Sequence, residues 1–169
     1  MTGTGSGRGQ RPPGAAAVGH LRDLTPQQVA VVQAFRCWAP KDAPAAERRE
    51  FANRCGENTC AALDEFFAIT QCYGRRPLVR HAPKCSCLGA DEAWFANMVD
   101  RATTGDPEDA MMLATLLVRP DIAHGAVHFA RALGLAVKGH RWNTAGSGHA
   151  MAGTSSFSAD YRDPSAPLH

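Results

Sequence analysis

Apolar residues recur at helical spacing through the middle of the chain. After Thr25-Pro26, a cap followed by a proline at the first helical position, Val31, Phe35 and Trp38 stand at i, i+4 and i+7, and Val32 widens the stripe. A first helix is expected over 25–38, ended by Pro40 and Pro44. A second is expected over 45–55, with Phe51 and Cys55 on one face, Arg48, Arg49 and Glu50 largely elsewhere, and Gly56 as a left-handed stop. Asn58 or Thr59 then caps a third helix carrying Cys60, Leu63, Phe66, Phe67 and Ile69, which closes at Gly74.

The periodicity stops over the next sixteen residues, RRPLVRHAPKCSCLGA, where Pro77 and Pro83 forbid a regular element. It resumes after Asp91, the expected cap of a fourth helix with Phe95, Met98, Val99 and Ala102 inward. Asp106-Pro107-Glu108-Asp109 is a strong helix start, because its acids face the positive helix end. The segment that follows, AMMLATLLV, is apolar on every side, which predicts that the fifth helix is the central one. A sixth begins after Pro120-Asp121, turns Ile122, Ala126, Phe129 and Leu133 inward, and stops at Gly134. Strand patterns are essentially absent; only 135–139, LAVKG, reads as a short extended piece.

The fold class expected is all-α: a single compact bundle of five to six short helices with flexible N- and C-terminal tails. Residues 1–20 and 140–169 are Gly-, Ala-, Pro-, Ser- and Thr-rich, so they bury too little to offset the entropy of ordering them. The domain therefore spans 21–139. Trp142, Phe157 and Tyr161 are isolated aromatics in the second tail, available for local docking or a partner.

Composition changes this picture little. The chain has 169 residues and a net charge of +2, which gives no strong pull toward nucleic acid or an anionic membrane. No apolar run reaches the length of a membrane span, and Ala15–Val18 is too short for a signal peptide. A cytoplasmic, reducing setting is the expectation, so the six cysteines are thiols before they are disulfides.

Chemistry-capable residues concentrate in the proline-rich loop. His81, Cys85 and Cys87 bring an imidazole and two thiols within seven residues, in a turn tightened by Pro83. Cys60 and Cys72 lie twelve residues apart on one helix, about 18 Å along its axis, so a single ion cannot use both. Cys72, where the loop departs, is the better fourth ligand. The expected metal quartet is Cys72, His81, Cys85 and Cys87, holding a structural zinc that pins the loop. An iron–sulfur cluster is the lesser alternative, since neither familiar ferredoxin spacing is present. Cys37, Cys55 and Cys60 read as core residues.

The same loop carries Arg75, Arg76, Arg80 and Lys84, the only dense basic stretch. It is followed by Asp91, Glu92, Asp100, Asp106, Glu108 and Asp109, so the cations serve an acidic partner, a phosphate backbone or internal pairing with the helix starts, or simply form a solvated surface. His124 and His128 stand four apart without the acid of a metalloprotease motif, and read as a solvated face. Phosphate-loop, dinucleotide and hydrolase-elbow motifs are absent. The functional expectation is a small helical accessory or regulatory protein that acts by binding, with a protein partner favoured over nucleic acid. The alternative from another class is a thiol-redox or cysteine-nucleophile enzyme using Cys85 and Cys87.

Overall fold

Helix α1 (Pro26–Cys37) begins where the cap chemistry places it: Thr25 Oγ1 accepts from the Gln28 N–H at 3.2 Å, and the Thr25 N–H donates to Gln28 Oε1 at 3.0 Å. This computed structural model of the chain describes residues 13–139. Helix α2 (Ala45–Cys55) and α3 (Glu57–Tyr73) meet at Gly56, whose φ of 81° suits a residue without a Cβ. The Gly56 carbonyl accepts from the Cys60 N–H, so α3 starts at Glu57, ahead of the Asn58 or Thr59 cap expected. Helix α4 (Ala90–Thr104) likewise starts early: Gly89 holds the cap position, Asp91 and Glu92 lie in the first turn, and Gly105 with φ 96° ends it. Helix α5 (Pro107–Leu117) is capped by Asp106, as its sequence predicts.

The aromatic centre joins three helices. Phe35 of α1 stacks on Phe95 of α4 with centroids 4.6 Å apart, and Phe66 and Phe67 of α3 complete the cluster. Phe35, Phe66 and Phe95 are fully buried. Such rings contribute about 0.5–1.5 kcal/mol per pair beyond the area they bury. Helix α6 (Ala123–Gly139) packs across α3, α4 and α5 through Ala123, Ala126, Ala130, Leu133, Gly134 and Val137.

Four expectations change here. Helix α6 does not stop at Gly134; it runs through it, and a side chain at that point would overlap Thr103 Oγ1 and press on Val99 of α4. That glycine permits close helix approach and does not cap. Residues 135–139 are therefore helical, not extended. Helix α5 is peripheral, not central: it buries Ala110, Ala114 and Leu117, while Met112 and Leu116 are 68% and 69% exposed. Finally, the chain joins the domain before residue 21. Ala17–His20 (β1) pairs antiparallel with Cys87–Gly89 (β2), with Gly19 opposite Leu88 and His20 opposite Cys87. Gly14 is buried where a Cβ would collide with the Asp91 carboxylate.

The all-α bundle holds, with this two-stranded ribbon laid on the start of α4. Among the described residues no helix is long and apolar enough to cross a membrane. The tail expected over 140–169, its three aromatics and residues 1–12 lie outside the described residues.

Candidate metal centre

The loop between α3 and β2 is held from beneath by two acids of α4. Asp91 accepts from both terminal nitrogens of Arg76, at 2.7 Å for Nη1, and from the Val79 N–H at 2.8 Å. Glu92 is fully buried and accepts from Arg36 Nε at 2.7 Å and Arg36 Nη2 at 2.6 Å. It also takes the His81 N–H at 2.8 Å and the Gly89 N–H at 2.9 Å. Arg36 directs Nη1 to the Cys85 carbonyl and Nη2 to the Cys87 carbonyl, each at 2.6 Å. A buried ion pair stabilises only when its remaining donors and acceptors are matched, and this one has them matched. Burial pushes the Glu92 carboxyl up, but Arg36 and the two backbone N–H groups outweigh it and hold it below its ordinary value. Asp91 is held low in the same way, with Arg76 and the Val79 N–H outweighing burial.

On this clamped backbone His81, Cys85 and Cys87 converge. One donor atom from each lies within 4.8 Å of the others, a group that could hold a metal ion with both sulfurs as free thiolates. The 3.2 Å contact between His81 Nε2 and the Ala15 carbonyl oxygen orients the ring. That leaves Nδ1 facing Cys87 Sγ at 3.6 Å and Glu92 Oε2 at 3.3 Å. Metal-binding histidines are commonly oriented in this way, by a hydrogen bond from the second ring nitrogen to a carbonyl. Cys85 and Cys87 are joined as a disulfide, their Cα atoms 5.5 Å apart. All three side chains are half-buried.

Comparison of this chain with protein families, curated proteins and solved structures finds no match.

Cys72, the expected fourth ligand, does not join the group. Helix α3 stays regular to Tyr73, so its phase buries Phe66, Phe67 and Thr70 and turns Cys72 outward, where it is exposed. Cys55 and Cys60 are buried thiols; burial pushes them up to about 12 and about 11, which suits packing and opposes thiolate chemistry. Cys37 is half-exposed and accepts from Arg54 Nη1 at 3.4 Å, so it is not a full core residue.

The basic stretch does not present four free cations. Arg76 is spent on Asp91, the internal pairing weighed from the sequence. Arg80 donates to the Phe35 and Trp38 carbonyls and lies over the Trp38 and Phe67 rings at 5.3 and 5.6 Å. Arg75 and Lys84 are exposed. The histidines of α6, His124 and His128, are exposed as expected.

Arg36 went unrecognised in the sequence, and Glu92 was read only as part of the acidic stretch. Their signal was a charge standing on an apolar stripe: Glu92 shares the face of Phe95 and Val99, and Arg36 that of Val32.

Proposed function

We propose that this chain is a small cytoplasmic helical accessory protein that acts by binding, and that its His81–Cys85–Cys87 centre takes zinc when the two cysteines are reduced. The convergence of the three donor atoms within 4.8 Å carries the reading. Two thiolates and an imidazole suit zinc, and a reducing compartment would keep those thiolates available. An iron–sulfur cluster is less favoured, because its usual ligand set is four thiolates.

The role of the ion changes from the one expected on sequence grounds. Arg36, Asp91 and Glu92 already hold the loop, so zinc is not needed to order it. Three donors from the described residues fill three of the four tetrahedral positions that zinc prefers. The fourth would be open to water or to a donor from a protein partner, which fits a binding role better than a purely structural one. Nucleic-acid association remains less favoured, since Arg76 and Arg80 are committed to internal contacts.

The test is the metal content of the full chain purified reduced from zinc-replete expression. About one zinc per chain is expected, lost in His81→Ala, Cys85→Ser and Cys87→Ser and retained in Cys72→Ser. Zinc content no higher in the parent than in the Cys85→Ser/Cys87→Ser double variant would overturn the reading.

A further inference from the structure

We infer that this centre exchanges its ion for a disulfide: an external disulfide oxidises the two metal-bound thiolates to the Cys85–Cys87 disulfide, and the ion leaves. The inference rests on the zinc reading above and adds an activity to it.

The same two sulfurs serve both states. They are two of the three donors in the His81 group, and they are also joined to each other. A sulfur in a disulfide carries no thiolate charge, so closing the bond removes two donors and leaves His81 alone, too little to retain zinc. The states therefore exclude one another. The Cα separation of 5.5 Å lies in the ordinary disulfide range.

The scaffold suits repeated conversion. Arg36 holds the carbonyls of both cysteines, and the Leu21 N–H donates to the Ser86 carbonyl between them at 3.0 Å. The turn is closed from the other side by the Cys85 N–H on the Ala82 carbonyl at 2.9 Å. With the backbone fixed at these points, passage between dithiolate and disulfide needs side-chain rotation and no unfolding. Both cysteines are half-exposed, within reach of a small disulfide, whereas Cys55 and Cys60 are buried.

The chemistry balances as thiol–disulfide exchange. One thiolate attacks a sulfur of the external disulfide, forms a mixed disulfide and expels one external thiolate. The second cysteine thiolate attacks the protein sulfur of that mixed disulfide, closes Cys85–Cys87 and expels the second external thiolate. Two electrons pass from the protein to the external disulfide, and zinc leaves as the unchanged divalent ion. Two external thiols reverse the sequence and restore the ligand set.

Glutathione disulfide added to the reduced, zinc-loaded full chain tests this, with released zinc read by a chromogenic chelator and disulfide by mass and peptide mapping. About one zinc is expected per Cys85–Cys87 disulfide, on the same time course, recovered on adding a dithiol, with Cys72→Ser behaving as the parent. Disulfide formation with zinc retained overturns the exchange alone, as does a zinc-loaded protein in which Cys85 and Cys87 never pair. Failure of the reduced chain to load zinc in the first step overturns the zinc reading and the exchange with it.

Discussion

Removing the Glu92 carboxylate is the perturbation that the packing makes most costly. Glu92→Ala strands the Arg36 guanidinium, which is fully buried as a side chain, and leaves the His81 and Gly89 N–H groups without their acceptor. Breaking a buried pair from one side costs about 3–5 kcal/mol, and each stranded backbone donor adds about 1–3 kcal/mol unless water replaces the lost acceptor. Arg36 keeps the Cys85 and Cys87 carbonyls, which softens the loss. The expected cost is about 3–5 kcal/mol, a large part of the about 5–15 kcal/mol that holds a typical domain. Urea denaturation of the parent and Glu92→Ala measures it, and hydrogen exchange at His81 and Gly89 localises it. Adding Arg36→Met should cost less than the sum of the two singles, by about 0.5–3 kcal/mol, because the pair acts as one unit. A Glu92→Ala loss below about 1 kcal/mol would be the size of an exposed pair and would refute the claim that this pair clamps the loop.

Three further outcomes follow from the same structure. Asp91 and Glu92 are held below their ordinary values of 3.8 and 4.5, so the unfolded chain binds protons first on acidification. Their contribution is complete above those values and is lost as pH falls through the lower folded ones. Urea midpoints should therefore fall below about pH 4.5, less steeply in Glu92→Gln, and equal slopes in the two proteins would count against the assignment. Gly134→Ala should destabilise by about 1–3 kcal/mol through overpacking against Thr103, whereas Gly139→Ala, with nothing among the described residues near its Cβ position, should be neutral or mildly stabilising by thermal melting. Leu117→Ala should cost about 2–5 kcal/mol by denaturant titration and Leu116→Ala within about 0.5 kcal/mol of zero, and a reversal of that order would return α5 to the centre of the bundle.

The helices with local start signals were legible in the sequence. Thr25-Pro26 and Asp106-Pro107 carry their own caps, and cap chemistry acts within one turn of the chain. The position of α5 was not, since apolar composition all round a helix says that it can be buried, and only the tertiary arrangement decides what covers it. Nor was β1, because strand pairing uses backbone groups that Gly- and Ala-rich sequence does not advertise. At the candidate site, loop spacing brought out His81, Cys85 and Cys87. It could not place Cys72, whose direction depends on α3 holding its helical phase through the last turn. The pairing of Arg36 with Glu92 was hidden for a different reason: each is charged, and its burial makes sense only with the other beside it.

Cobalt substitution of the reduced full chain tests the central claim most directly, because sulfur ligation gives cobalt(II) intense thiolate charge-transfer absorption. The account predicts that absorption in the parent and in Cys72→Ser, and its loss in Cys85→Ser, in Cys87→Ser and when both are replaced. A spectrum without thiolate charge transfer, or one abolished by Cys72→Ser and untouched by Cys85→Ser, would contradict it.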